Sequence, residues 1–302
     1  MPNLVTLPGC GCRINFTPSE HVAFITNLNQ PNYFQHPSGF KIAHFLRTAI
    51  NTHSLVIISN LNSLSPSAHV NLTSIFGEPG AHPQRGKPPA LPCLTGTRCL
   101  VEVATNDPAS PYLSTQIKAD HWHSDVTFST QPPSYTSLLA KQIPGEGRGD
   151  TMWASTSAAF AELSPALQRT VSTLFAVHRD RSGLGQEVTH PVVVEIEQQQ
   201  KGMKEKPLHV RRRALFVNQQ FTSHFAGWTI EESAPLLNYL YQKVLAPEHV
   251  YRHRWSVGDF VVWDNRQTLH YGIFDSQKMH RTMHRTTAGY NCPIPSSPLS
   301  AL

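Results

Sequence analysis

Asp120-His121-Trp122-His123-Ser124-Asp125-Val126-Thr127-Phe128 is the stretch from which the rest of the chain is read. Trp, Val, Thr and Phe favour pleated, half-buried backbone, so the segment predicts a strand. On a strand, residues two apart point to one face. His123 and Asp125 then present an imidazole nitrogen and a carboxylate oxygen to one point in space. These are two members of a 2-His-1-carboxylate facial triad, the donor set that leaves open positions on a non-haem Fe(II). His121 falls on the same face and reads as a supporting or substrate-facing group, not a ligand. In a chain with 17 His, a lone His-x-Asp pair is a weak signal.

The second stretch is Trp263-Asp264-Asn265-Arg266-Gln267-Thr268-Leu269-His270-Tyr271, with His270 as the candidate third ligand. Asp264-Asn265-Arg266 reads as a turn that aims it. Arg281 follows His270 by eleven residues and Arg285 by fifteen. Guanidinium groups bind carboxylates bidentately, which suits an iron site that must also hold a dicarboxylate. Arg281 is assigned to that dicarboxylate. Arg285 is assigned to its support or to the anion of the substrate. Phe128, Trp153, Tyr271 and Phe274 are candidates for the pocket lining, and aromatics at such places also serve as core.

Further segments carry a family resemblance. Phe76-Gly77-Glu78, His82-Pro83, Trp122 to Phe128, Gly149-Asp150-Thr151, His190-Pro191-Val192-Val193, Ala214 to Asn218, Trp263 to His270 and Met283-His284-Arg285-Thr286 occur in this order. Over roughly residues 40–290 the chain resembles the taurine dioxygenase (TauD/TfdA) family of Fe(II)- and 2-oxoglutarate-dependent dioxygenases. The resemblance implies Fe(II), 2-oxoglutarate and O2, with ascorbate as an accessory reductant. It implies oxidation of an unactivated C–H bond of a small anion (an amino acid, sulfonate or carboxylate), with release of succinate and CO2. Hydroxylation, desaturation and ring formation all fit that chemistry, and a role in secondary metabolism fits as well as one in catabolism. By the same resemblance Thr151 joins Arg281 on the distal carboxylate of 2-oxoglutarate. His82 helps to bind the substrate's head group, and Val126 and His121 stand beside it. Members often associate, so a homo-oligomer is expected.

The remaining sequence fits one domain spanning 1–302, mainly β with flanking helices. Many short strands with sparse helices point to a double-stranded β-helix, a cupin-like jelly-roll barrel. Residues 1–39, rich in Pro, Asn and Gly, read as loop and short strands on the surface. Apolar spacing predicts a helix over 40–51. Ser54-Leu-Val-Ile-Ile-Ser59 reads as a buried strand, and Ser65-Pro66 opens a helix through residue 76. Residues 77–118, with five Pro between 79 and 92, read as an irregular active-site loop or lid. Strands are expected at 135–140, from 151, at 191–196, 215–218 and 250–255, and from 260, with His178 to His190 as a loop. Residues 157–173 read as an amphipathic helix broken at Leu163-Ser164-Pro165, and 230–241 as another helix. Arg211-Arg212-Arg213 reads as the solvated end of a hairpin whose tip is 198–206.

A net charge of +5 with scattered Lys and Arg is no nucleic-acid footprint. The absence of any apolar run of about 18 residues argues against a membrane span. Five Cys, an odd number without a repeated CxxC, argue against a disulfide framework and a zinc ribbon, and free thiols suit the cytoplasm. Cys10-Gly11-Cys12 reads as a mobile thiol pair. The C-terminal Ser-Ala-Leu is too loose a match to a peroxisomal address to use. Two other functions fit the same triad. One is a Zn-dependent hydrolase, which has no need of Arg281 and Thr151. The other is a non-catalytic barrel that binds a small anion.

Overall fold

The computed structural model describes residues 2–30, 33–80, 99–105, 121–145, 147–180, 187–197, 211–275 and 280–296. Its N-terminal segment is more ordered than its composition announces. Strand β1 (Asn3–Thr6) pairs antiparallel with β2 (Cys12–Asn15), and helix α1 (Pro18–Leu28) follows. This helix corrects the expectation of loop and short strands. Its local cause is Thr17-Pro18-Ser19-Glu20. The Glu20 amide donates to Thr17 Oγ1 at 3.4 Å, and the Thr17 amide donates to the Glu20 carboxylate at 3.0 Å. Two orphan donors are satisfied reciprocally, with Pro18 at the first helical position.

Helix α2 (Pro37–His53) contains the expected 40–51 and ends on Ser54, whose φ of 67° turns the chain into β3 (Leu55–Ile58). Helix α3 (Pro66–Ser74) starts where the Ala68 amide donates to Ser65 Oγ at 3.2 Å, and stops two residues short of the expected end. Next come β4 (Pro79–Gly80), β5 (Leu100–Thr105) and β6 (Pro133–Gln142). The strand at 100–105 corrects the irregular reading of 77–118. Residues 81–98 and 106–118, with His82, lie outside the described residues. Strand β7 (Thr151–Ser155) leads to α4 (Thr156–Ala161) and α5 (Pro165–Ser172), separated at the expected break.

Strands β8 (Phe175–Arg179) and β9 (Glu187–Pro191) are an antiparallel pair where the sequence predicts a loop. Strand β10 (Val193–Glu197) pairs with β11 (Arg211–Leu215), so the three arginines lie within a strand and not at a hairpin end. The register sets Arg213 opposite Glu195, with its Nε 3.9 Å from the Glu195 carboxylate, and a cross-strand pair of opposite charge stabilises a sheet. The proposed tip at 198–206 lies outside the described residues. The chain continues through β12 (Thr222–Phe225), α6 (Ile230–Val244), β13 (Val250–His253), β14 (Phe260–Asp264), β15 (Thr268–Gly272) and β16 (Arg281–Tyr290).

The large sheet runs β1-β2-β3-β14-β6-β16, with β4 and β5 both on β16. Smaller sheets are β13-β7-β15, β12-β8-β9 and β10-β11. Period-two alternation divides the core. Leu55, Ile57, Val261 and Trp263 face Trp153 of β7, while Val56, Ile58, Phe260 and Val262 face α1, α2 and α3. Two facing layers, antiparallel except where β2 pairs parallel with β3, with helices outside form the jelly-roll barrel that the strand pattern predicts. Each buried Ile, Leu or Val here contributes about 1.5–3 kcal/mol relative to exposure.

Cys10 and Cys12 are not a mobile pair. Cys12 is fully buried on the helix side of the sheet, and Cys10 lies at 7% exposure against Leu55 and Ile57. Gly11 between them has φ +105°, and a Cβ there would come within 2.8 Å of the Leu55 side chain. Burial pushes both thiols up to about 12, so thiolate is scarce. Brief alkylation of the native protein followed by peptide mapping is expected to label exposed Cys292 and to spare Cys10 and Cys12 until denaturant is added. Equal labelling of all three would refute the packing described.

Candidate metal centre

The predicted strand over 120–128 is replaced by one antiparallel bridge and a turn. The His123 amide donates to the His270 carbonyl at 3.0 Å and the His270 amide to the His123 carbonyl at 2.7 Å. Pairing then stops, because Ser124 and Asp125 bond to the distant Asn265 and not along a neighbouring strand. Ser124 Oγ donates to the Asn265 carbonyl at 2.6 Å, and the Asp125 amide to Asn265 Oδ1 at 3.3 Å. Val126 takes φ 54°, uncommon for a β-branched residue, and so brings Asp125 round beneath the histidines. His123 and Asp125 do converge, but through a turn and not through strand alternation.

One donor atom from each of His123, Asp125 and His270 lies within 4.8 Å of the others, and all three residues are buried. The rings of His123 and His270 have centroids 4.1 Å apart, and His270 Nε2 is 3.7 Å from Asp125 Oδ1. His123 Nδ1 is 2.8 Å from the His121 carbonyl, which can only accept. Nδ1 therefore carries the proton and Nε2 is the unprotonated nitrogen of the ring. His121 enters the centre through its backbone. Burial, then the His123 ring, push His270 well below its ordinary pKa, which keeps it in the neutral, ligating form. Burial works against the charge of Asp125. Arg285, the two imidazoles and a hydrogen bond from Thr136 nevertheless hold its carboxyl far below the usual range. Two neutral imidazoles and one carboxylate, deprotonated and dry, fit Fe(II) with positions to spare.

Asn265 and Thr136, which no motif reading singled out as site residues, hold the carboxylate. Thr136 Oγ1 donates to Asp125 Oδ2 at 2.6 Å, Asn265 Nδ2 donates to Thr136 Oγ1 at 2.9 Å, and Trp263 Nε1 donates to Asn265 Oδ1 at 2.9 Å. The Asp264-Asn265-Arg266 turn thus aims Asp125 as much as His270. Asp264 and Arg266 are structural: two guanidinium bonds of 2.8 and 2.7 Å lock them together, and Arg266 donates to the Tyr135 hydroxyl at 2.7 Å. Such supporting bonds are commonly worth about 10–100-fold in metal affinity. Asn265→Ala is expected to weaken Fe(II) binding by about that factor while the protein stays folded. Competition with a chelator measures it, and unchanged affinity would remove Asn265 from the site.

Thr151 opens β7, in register with Gly272, two residues from the Trp153–His270 pair. Arg281 opens β16. Among the described residues its guanidinium has no ion pair, and its Nε is buried without a hydrogen bond. Burial lowers it to about 10, with Asp150 opposing, so it stays charged at neutral pH. Asp150 is committed elsewhere, to Arg252 Nε at 2.7 Å. An uncommitted buried cation suits an anion. Arg285 lies closer to the ligands, with a terminal nitrogen 2.6 Å from Asp125 Oδ1 and its Nε buried without a partner.

An apolar wall stands beside His123. Phe221 meets its ring edge-on at 6.1 Å, and Val126 and Phe128 pack against Phe221. Trp153 is core, fully buried beside Trp255 and Trp263. Phe274 is 45% exposed, and Tyr271 stacks near Trp122. The position of His82 is not described.

The family model described as "Taurine catabolism dioxygenase TauD, TfdA family" matches residues 29–287. The chain is 28% identical over 253 residues to an alkylsulfatase of Acinetobacter baylyi, covering 80% of this chain and 75% of that one. It is 29% identical over 271 residues to an alpha-ketoglutarate-dependent sulfate ester dioxygenase of Pseudomonas putida, covering 82% and 81%. A crystal structure of a taurine dioxygenase from Burkholderia xenovorans shares the fold, with a TM-score of 0.75 at 24% identity over 99% of this chain and 94% of that one.

Proposed function

The chain belongs to the TauD, TfdA family and is a dioxygenase dependent on Fe(II) and 2-oxoglutarate (alpha-ketoglutarate), and from that premise we propose that it oxidises a small sulfur-oxyanion substrate, a sulfate ester before a sulfonate. In this reading His123, Asp125 and His270 hold the iron, Thr151 and Arg281 hold the distal carboxylate of 2-oxoglutarate, and Arg285, with His82, takes the substrate's anion. The observation that carries it is Arg281, a buried guanidinium with no ion pair among the described residues, on the barrel that presents the His-Asp-His group. A Zn hydrolase gives that cation no task, and a barrel that only binds an anion gives the His-Asp-His group none.

Bound iron supplies the centre at which O2 is reduced, 2-oxoglutarate is cleaved to succinate and CO2, and a substrate C–H bond is oxidised. The residues do the rest. Thr136 and Arg285 keep Asp125 ionised and fix its direction. The His121 carbonyl holds the His123 tautomer. Val126, Phe128 and Phe221 exclude water from one side. On a sulfate ester, hydroxylation of the carbon bearing the ester oxygen would give a 1-hydroxyalkyl sulfate, whose C–O bond to sulfate breaks to leave an aldehyde, sulfate and a proton. The sulfate-ester preference is supported by the names of two relatives.

The whole chain, 1–302, acts as one catalytic domain in this proposal. A cytoplasmic homo-oligomer belongs to it too, supported by free thiols at Cys10, Cys12, Cys99 and Cys292 and by the habit of the family. No helix among the described residues is long and apolar enough to cross a membrane. The test is anaerobic titration with Fe(II) and 2-oxoglutarate, then a panel of alkyl sulfates, sulfonates, aryloxyalkanoates and amino acids scored by succinate. Succinate with matching aldehyde from an alkyl sulfate is expected. Turnover confined to amino acids would overturn the substrate class.

A further inference from the structure

The two groups proposed for the cosubstrate are joined by a residue that neither motif contains. Trp255 follows β13 and is 6% exposed. Its Nε1 donates to Thr151 Oγ1 at 3.0 Å. An indole N–H only donates, and a threonine hydroxyl has one hydrogen and two lone pairs. Thr151 therefore accepts from Trp255, and its own hydrogen is left for another acceptor. The face of the same indole carries Arg281, with Cζ 5.8 Å from the ring centre, within cation–π reach. That contact locates the guanidinium without neutralising it.

The indole has little freedom. His253, fully buried, meets it edge-on with centroids 4.7 Å apart, and Trp153 lies at 6.2 Å. His253 is in turn held 3.1 Å from Asp259, which accepts the Ser256 amide at 2.9 Å. On the other flank of Arg281, Gly149 has φ +72°, and a Cβ there would lie 3.3 Å from Arg281 Cδ. The missing side chain at Gly149 thus leaves room for the stem of Arg281, and the indole face covers its guanidinium.

We propose that Trp255 is a positioning residue of the cosubstrate site: its N–H turns the Thr151 hydroxyl into a donor and its ring face steadies Arg281, so that both meet the distal carboxylate of 2-oxoglutarate. This rests on the reading of Thr151 and Arg281 as the carboxylate clamp. Trp255→Phe keeps a ring and loses the N–H. Trp255→Leu loses both.

The experiment is anaerobic calorimetry on the Fe(II)-loaded protein with 2-oxoglutarate and with 2-oxopentanoate, which lacks the distal carboxylate, beside steady-state kinetics. Trp255→Phe is expected to weaken 2-oxoglutarate about tenfold and Trp255→Leu about a hundredfold. Binding of 2-oxopentanoate is expected to stay within about twofold, and kcat at saturating 2-oxoglutarate to be retained. Selectivity between the two acids therefore falls, which a general loosening of the core would not produce. Adding Trp255→Phe to Thr151→Val is expected to cost less than about twofold more, because the hydroxyl it orients is gone. Should Trp255→Leu fail to fold, Trp255→Phe and the double variant decide. Wild-type affinity and selectivity in Trp255→Phe, or fully multiplicative losses in the double variant, would overturn the proposal. If Thr151→Val and Arg281→Gln weaken 2-oxoglutarate and Trp255→Phe does not, only the role of Trp255 falls. If none of them does, the clamp falls with it.

Discussion

Replacing His270 with Ala is expected to abolish both the visible Fe(II)–2-oxoglutarate band and succinate formation, a loss of at least about a thousandfold. Removing a group that only supports a ligand already costs about 10–100-fold in metal affinity, and a ligand itself counts for more. The variant is a clean probe because the bridge to His123 is made by backbone atoms and survives the substitution. The Asp125–Arg285 ion pair at 2.6 Å also remains, so no buried charge is left without a partner. The remaining disturbance is a cavity where the ring packed 5.0 Å from Trp263 and 4.1 Å from His123. Circular dichroism is expected to show a folded protein. Succinate production within tenfold of wild type would show that His270 is no ligand. Asp125→Ala is a poorer probe, since it leaves Arg285 buried without its counter-charge.

Arg281→Gln is the second large effect, and it separates binding from stability. Two charge-assisted hydrogen bonds to a carboxylate, each worth about 1.5–3 kcal/mol, correspond to a rise in KM for 2-oxoglutarate of roughly 10²–10³-fold or more. At saturating cosubstrate kcat is expected to fall far less. The guanidinium has no ion pair among the described residues and is penalised by burial, so removing it takes away a cost. The melting temperature is therefore expected to stay level or rise while cosubstrate binding collapses. A KM rise of less than about fivefold would sink the assignment, since a single charged hydrogen bond exceeds that.

The donors were legible in the sequence and their geometry was not. His-x-Asp and a distant His name three side chains that the structure brings together, because period-two alternation and the real turn place positions 123 and 125 alike. The turn itself depends on Asn265, 140 residues away from Asp125, and no local preference of Val126 or Thr127 announces it. Thr136 was invisible for the same reason: a threonine on a strand gives no sign of what lies across the barrel. Other misses were local and avoidable. The capping box at Thr17 and Glu20 was readable, and composition masked it. The three arginines of β11 read as a charge run in sequence because Glu195, the partner of Arg213, lies on another strand. The Cys10-Gly11-Cys12 segment was judged by its place near a terminus, although β2 runs parallel to the buried β3. Alternation in β3 and β14, in contrast, depends on each strand's own side chains, and there the strand reading from sequence and the structure agree.

The doubly bonded pairing of residues 123 and 270 has a consequence for how the protein lives without its ion. Peptide groups, not the metal, set the spacing of the two imidazoles. Removal of a bound ion is therefore expected to leave that spacing in place. Chelation is expected to abolish turnover while the far-ultraviolet dichroism stays unchanged, because two peptide hydrogen bonds span the pair whether or not a cation sits between the rings.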